Sequence, residues 1–205
     1  MKNVVFDFGN VVFRWQPYEF MPQLLPHRAR DETSTHEIVS AFFEGYNGDW
    51  GEFDRGMIGV PELAQRIALR TGLDLADVLR VVAAVPAELQ PMPQTVALMH
   101  RLRERGHRLF FLSNMPAPFA DHIEAAHPLS EWFVDGIFSS RVQLIKPDPA
   151  IFRAAAERFG IAPRESLFID DFRANIVAAR ALGWNAVHFL SHEQCETELA
   201  TGGWL

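Results

Sequence analysis

Apolar residues along this chain follow two rhythms. Five short runs, Val4–Phe6, Arg108–Leu112, Gly136–Phe138, Ser166–Ile169 and Ala186–Leu190, are rich in Val, Ile, Leu and Phe and bounded by turn-forming residues. That pattern predicts buried strands. Between them, apolar positions recur at helical spacing. Val96, Met99 and Leu102 form one stripe, closed by Gly106. Ile151, Ala155 and Phe159 form another, closed by Gly160, and Ile176, Ala179 and Leu182 a third, closed by Gly183. A stripe of this period that ends on glycine predicts an amphipathic helix with a C-terminal cap. Strands alternating with helices predict an α/β fold built on a parallel sheet, in three layers.

One stretch breaks the alternation. Roughly 90 residues separate the first strand from the second, too many for a simple crossover, and no strand pattern falls among them. Helical spacing fills the gap instead: Ile38, Phe42, Phe43 and Tyr46; then Leu63, Ile67 and Leu69 up to Gly72; then Leu75, Val78, Leu79 and Val82. The segment is entered through Arg14-Trp15-Gln16-Pro17. It is left through Pro86-Ala87-Glu88-Leu89-Gln90-Pro91-Met92-Pro93, which predicts a stiff, proline-rich linker. The expected organisation is a core of residues 1–14 and 92–205, with a helical cap of residues 15–91 inserted after the first strand.

The net charge of −7 gives the molecule no overall attraction for nucleic acid or an anionic membrane. An anionic substrate would therefore need a local cation. No apolar run approaches a membrane span, and Asp7 interrupts the first apolar run where a signal peptide would continue. The single cysteine, Cys195, excludes an intramolecular disulfide and suits a reducing cytoplasm. The eight histidines are scattered without metal-site spacing. Nothing in the pattern speaks to oligomeric state.

Chemistry gathers where strands end. The first strand runs into Asp7, the second into Ser113-Asn114, and the fourth into the pair Asp170-Asp171; Lys146 stands in Ile-Lys-Pro-Asp-Pro ahead of a helix. A parallel sheet brings the carboxyl ends of its strands to one edge, where ligands of open α/β folds bind. Asp7 could serve as a nucleophile if its charge and that of a phosphate were neutralised. Asp170 and Asp171 repel one another unless one is protonated or a cation lies between them, and Mg²⁺ favours a few carboxylates with phosphate oxygens and water. Singly, each motif has a plainer reading, since Asp, Ser and Asn also cap helix N-termini and a loop lysine is ordinarily solvated. Lys146 carries more information. The chain has 19 basic residues, and only it and Lys2 are lysines. Its point charge could touch both the nucleophile and a phosphate and would hold Asp7 ionised.

With Asp7-Phe8-Gly9-Asn10, Ser113-Asn114, Lys146-Pro147 and Asp170-Asp171 in this order, followed by Asn175, the sequence resembles the haloacid dehalogenase-like superfamily along essentially its whole length. The resemblance is to the branch with a small helical cap, and within it to bacterial phosphatases acting on α-D-glucose 1-phosphate. It implies a Rossmann-like core and an Mg²⁺-dependent phosphatase of a small phosphorylated metabolite. By the same resemblance, Asp7 would attack phosphorus to form an aspartyl-phosphate. Ser113 and Asn114 would bind the transferring phosphate, Lys146 would bridge nucleophile and phosphate, and Asp7, the Gly9 carbonyl, Asp170 and Asp171 would hold the metal.

Gly9 departs from the pattern, because most phosphatases of this family carry a second Asp two residues after the nucleophile as general acid and base. Glycine can neither protonate a leaving group nor activate water. A cap residue or a metal-bound water could substitute, and Glu52 and Asp54 are candidates by location alone. Two other readings stand beside the phosphatase: a 2-haloacid dehalogenase using Asp7, and a phosphate-binding regulatory protein that has lost turnover.

Overall fold

Side chains that alternate along a strand must leave on opposite faces of the sheet, and this alternation organises the molecule. In the computed structural model, which describes residues 2–44 and 47–205, the strands are β1 (Asn3–Phe6), β2 (Arg108–Ser113), β3 (Asp135–Phe138), β4 (Ser166–Asp170) and β5 (Asn185–His188). Each pair is parallel, in the order β3-β2-β1-β4-β5. Between β1 and β2 lie α1 (Pro17–Leu24), α2 (Glu32–Phe43), α3 (Gly48–Asp54), α4 (Val60–Thr71), α5 (Leu75–Glu88) and α6 (Pro93–Glu104). The remaining helices are α7 (Ala117–Ala126), α8 (Leu129–Trp132), α9 (Ser139–Val142), α10 (Pro149–Phe159), α11 (Arg173–Ala181) and α12 (His192–Thr201).

One face of the sheet sends Val5, Phe110, Leu112, Ile137 and Phe168 against Ile151, Phe152 and Phe159 of α10 and Ile176 and Ala179 of α11. The other face sends Val4, Phe6, Leu109, Phe111, Leu167 and Ile169 toward α6, α7 and α12. This makes the three-layer, Rossmann-like fold expected from the alternation. The second cluster does not stop at the sheet. It runs on without a break through Phe20, Phe42, Phe43, Trp50, Phe53, Leu63 and Val78 of the helices that follow β1, so cap and core share one apolar interior.

The five strands lie within one or two residues of their expected ends, and Gly72 and Gly160 close α4 and α10 in the left-handed conformation. Three details differ from the pattern reading. Leu69 is 89% exposed, because it sits 200° around α4 from Ile67 while Leu63, Ala64 and Ile67 form the buried stripe. Leu75 and Leu79 also face outward, and α5 buries Val78, Val81, Val82 and Val85. The proline-rich exit is shorter than expected, since α5 continues through Pro86 to Glu88. Tyr46 lies outside the described residues.

The two crossings between cap and core run side by side. Arg14 N donates to Gln90 O and Met92 N to Val12 O, each at 2.8 Å, and Phe13 forms an antiparallel bridge with Pro91. Beneath them, Phe111 packs with ring centroids 4.5 Å from Phe8 and 4.7 Å from Phe138. Gly136 on the neighbouring strand makes room for it: a Cβ there would lie 2.0 Å from the Phe111 ring. We expect Gly136→Ala to destabilise the protein by about 1–3 kcal/mol through overpacking, with Phe111→Leu restoring part of the loss. Urea denaturation of both variants measures this, and an unchanged midpoint for Gly136→Ala would contradict it.

Candidate active site

β1 and β4 are neighbours, paired in a register that sets Phe6 opposite Ile169. Their next residues, Asp7 and Asp170, therefore emerge side by side at the carboxyl edge. Asp7 N donates to Ile169 O at 2.8 Å, extending the ladder one residue further, and the Asp7 carboxylate accepts from Phe8 N at 2.7 Å. Phe8 is fully buried among aromatic rings, and its carbonyl accepts from the N–H groups of Val12 and Phe13 at 2.9 and 2.7 Å. Asn10 completes this tight turn with φ of 53°, a left-handed position that Asn tolerates. The turn is rigid, and so is the carboxylate that starts it.

Lys146 closes the site from the loop before α10. Its ammonium, on a side chain 1% exposed, lies 2.8 Å from Asp7 Oδ1 and 2.6 Å from Asp170 Oδ2. Asn114 fixes this loop in both directions: its amide Nδ2 donates to Lys146 O at 3.0 Å, and its Oδ1 accepts from Lys146 N at 2.9 Å. Asp170 accepts from Asn175 Nδ2 at 3.0 and 2.9 Å and from Phe172 N at 2.7 Å. Asp171 is held more loosely, by Asn10 Nδ2 at 3.2 Å. Asn10 Oδ1 in turn accepts from Trp15 N at 3.1 Å and Gln16 Nε2 at 3.3 Å, so one side chain links the turn after Asp7, the entry to the cap and the acidic pair.

The electrostatics follow from burial. Desolvation pushes the Asp7 carboxyl well above its ordinary range; Lys146 opposes this, and Asp170 and Asp171 add to it. Burial and the charge of Asp170 raise Asp171 to about 6. Burial also works against the Lys146 charge, but Asp170 and Asp7 outweigh it and hold its pKa above the usual lysine value. Three carboxylates thus face a single ammonium. Oxygen atoms of Asp7, Asp170 and Asp171 all lie within 4.8 Å of one another, a hard-donor set suited to a divalent cation. Asn175 Oδ1 is buried without a hydrogen-bond donor, an orphan that water on such a cation would satisfy. With three donors already on Asp170, Asp171 has the freer lone pairs.

Above this floor is a cavity of about 400 Å³ lined by Asp7, Gly9, Asn10, Lys146, Asp171 and Asn175, with walls from Trp15, Trp50, Val85, Leu89, Met115 and Phe119. Asp54 also lines it. The site residues expected from the sequence are thus gathered at one sheet edge, with two qualifications. Ser113 is 1% exposed at the end of β2 and is not among the lining residues. The amide of Asn114 is committed to the Lys146 loop. Trp50 lines the cavity, whereas Phe53 is buried in the apolar interior. Glu52 turns away to pair with Arg66 at 2.8 Å. The roles of Asn10 and Asn175 were not assigned from sequence; an Asn immediately after the Asp-Phe-Gly turn, and another four residues after the Asp pair, were the available signals. Cys195 is buried, and its thiol is pushed up to about 12, which leaves it unreactive.

A profile of the haloacid dehalogenase-like hydrolases matches residues 1–183, and the chain belongs to that family. Among curated relatives it is similar to the sesquiterpene phosphatase astK of Aspergillus oryzae, 24% identical over 189 residues that cover 91% of this chain and 89% of the relative. It is also similar to phosphoglycolate phosphatase of Escherichia coli, 35% identical over 95 residues, which are 46% of this chain and 38% of that enzyme. In fold it resembles a family enzyme from Bacteroides thetaiotaomicron solved with magnesium and inorganic phosphate, with a TM-score of 0.71, 24% identity, and coverage of 91% of this chain and 93% of the other.

Removing the central ammonium tests the electrostatic account. In metal-free protein, Lys146→Met leaves Asp7 and Asp170 buried without a counter-charge, a change that typically costs about 3–5 kcal/mol. Those carboxyls then bind protons more tightly when folded than when unfolded. The deficit should be smallest at the acid end, as the unfolded carboxyls also become protonated toward and below pH 4, and should grow as pH rises. Urea denaturation across pH 4–8 measures it; a loss independent of pH would contradict the ion-pair assignment.

Proposed function

We propose that this chain is an Mg²⁺-dependent phosphoric monoester hydrolase that cleaves a small phosphorylated metabolite through an aspartyl-phosphate on Asp7. The single observation that carries the reading is the buried Lys146 ammonium 2.8 Å from Asp7, beside Asp170 and Asp171, with Asp171 lining the cavity above. Asp7 attacks phosphorus, and its bond to phosphorus forms as the ester P–O bond breaks. Lys146 orients Asp7 and neutralises incoming phosphate charge. Asn114, which lines the cavity, completes the phosphate site through its main chain, and Ser113 supports it from the buried end of β2. The Asp7 carboxylate, the Gly9 carbonyl and Asp171 would hold Mg²⁺, with Asp170 helping directly or through water, and the metal would supply charge neutralisation at the phosphate.

The functional division places the core at residues 1–14 and 92–205 and the cap at 15–91, supported by the paired crossings at Phe13 and Pro91. A cytoplasmic location accords with the lone buried cysteine, and no helix among the described residues is long and apolar enough to cross a membrane. The sequence resemblance makes a sugar phosphate such as glucose 1-phosphate the first substrate to test. A second reading, an organic phosphate with an apolar skeleton, is favoured by the Trp15, Trp50, Val85, Leu89, Met115 and Phe119 walls and by the likeness to a sesquiterpene phosphatase. A haloacid dehalogenase has no use for two carboxylates beside its nucleophile, because they would repel its anionic substrate.

EDTA should silence hydrolysis of p-nitrophenyl phosphate and Mg²⁺ should restore it, and Asp7→Asn should abolish it in a folded protein. Asp171→Ala should raise the Mg²⁺ concentration for half-activity more than Asp170→Ala. Undiminished turnover in metal-free buffer would overturn the metal assignment, and activity in Asp7→Asn that of the nucleophile. Comparing sugar phosphates with prenyl phosphates on the same protein separates the two substrate readings.

A further inference from the structure

Gly9 leaves the leaving group without a proton donor, and the backbone does not require a glycine there. Its φ lies outside the left-handed region, and an added Cβ would meet nothing nearer than Trp15 Cβ at 4.0 Å. The acid must come from elsewhere in the cavity, and Asp54 is the carboxyl that reaches it from the cap. Asp54 is 4% exposed. Among the described residues its carboxyl takes part in no ion pair and accepts no hydrogen bond, whereas the other two acids of α3, Asp49 and Glu52, both turn to Arg66. A buried carboxyl without a partner weakens a fold, so its presence at this wall calls for a chemical reason.

We propose that Asp54 is the general acid and base of this active site, replacing the carboxyl absent at position 9. The assignment rests on the phosphatase reading of Asp7. Its position is fixed by packing. Ser139 Oγ, fully buried, donates to Asp54 O at 2.5 Å and accepts from Met115 N at 2.8 Å, tying the end of α3 to the loop after β2. Gly56 follows with φ of 76°, where a Cβ would meet Ser140 O at 2.8 Å, so only glycine permits this approach of cap to core. The charged groups facing the same cavity are Lys146, Asp7 and Asp171. Arg66 and Arg70 of α4 are paired with acids away from it, and so is Arg141 of α9. Burial holds the Asp54 carboxyl at about 8, with Lys146 opposing the rise, so it is protonated at neutral pH.

In the first step, Asp7 forms its bond to phosphorus, the ester P–O bond breaks, and the proton of Asp54 passes to the departing oxygen, releasing an alcohol. In the second, the Asp54 carboxylate takes a proton from water as that water bonds to phosphorus. The Asp7–phosphorus linkage breaks, inorganic phosphate leaves, and Asp54 is protonated again.

The test compares wild type, Asp54→Asn and Asp54→Glu with Mg²⁺ on p-nitrophenyl phosphate and on a simple alkyl phosphate, reading kcat/KM against pH. Asp54→Asn should lose about 10²–10⁴-fold on the alkyl ester, at least tenfold more than on the aryl ester, whose leaving oxygen needs less protonation. The wild-type alkyl profile should fall above about pH 8 as Asp54 ionises; that limb should vanish in the amide and return in Asp54→Glu. Equal losses on both esters with an unchanged pH profile, or full alkyl activity in Asp54→Asn, would overturn the proposal. Wild type inactive on every ester would instead overturn the phosphatase reading beneath it. Stability guards against a folding artefact. The carboxyl binds its proton more tightly when folded, so wild type loses stability as pH rises from about 4 toward 8. The amide does not, and its melting temperature at pH 8 should equal or exceed that of wild type.

Discussion

A single buried ammonium between two carboxylates sets the terms for the rest of this molecule. Charges taken out of water are costly, and they are tolerated only when paired and fully hydrogen-bonded. Lys146 meets that condition because β1 and β4 are adjacent and in register, which places Asp7 beside Asp170. Two asparagines hold the arrangement from opposite sides, Asn114 through the lysine main chain and Asn175 through the Asp170 carboxylate. Breaking the sheet register would separate the carboxylates; breaking either amide clamp would free one end of the pair. Even intact, the cluster keeps more negative than positive charge. That deficit is why a divalent cation suits the site: once bound, it would offset the repulsion that an anionic group meets there.

How far the sequence predicted this site depended on which physical rule applied. Strand ends were legible, because a parallel sheet gathers its carboxyl ends at one edge whatever the intervening chain does. That rule places Asp7, Ser113, Asn114 and the Asp pair together from the sequence alone, whereas Lys146 joins them from the loop ahead of α10. Side-chain direction was not legible where the element is short. Glu52 and Asp54 are two residues apart on a seven-residue helix, about 200° around its axis. One faces solvent and Arg66; the other shares the cavity with Trp50, four residues back. Nothing in the periodicity of so brief a helix decides between them. Asn114 was ambiguous for a related reason. Its residue type allows its side chain to bind phosphate or to clamp a loop, and only the approach of the Lys146 main chain, thirty-two residues away, shows that the amide clamps.

The cap is more than a cover. Its apolar interior is continuous with one face of the sheet, so the cavity wall is an extension of the core rather than a surface groove. Water excluded from such a wall strengthens every charge interaction inside it, which sharpens the pull of Lys146 on Asp7. The close approach of Gly56 to Ser140 and the Ser139 hydrogen bond to the end of α3 anchor this wall at the edge where the chemistry occurs.

The same exclusion of water links selectivity to proton transfer. The apolar walls that would receive an organic group are the surroundings that keep the Asp54 carboxyl protonated. A polar residue at Trp50 or Phe119 would admit water, lower the Asp54 pKa toward that of an ordinary carboxyl, and weaken the acid even without touching it. A turn carrying its own acid at position 9 would have no such dependence, since its pKa would be set within the core. Moving the acid onto the cap therefore makes catalysis conditional on the apolar packing that defines the pocket. It ties the choice of leaving group to the fold of the inserted helices.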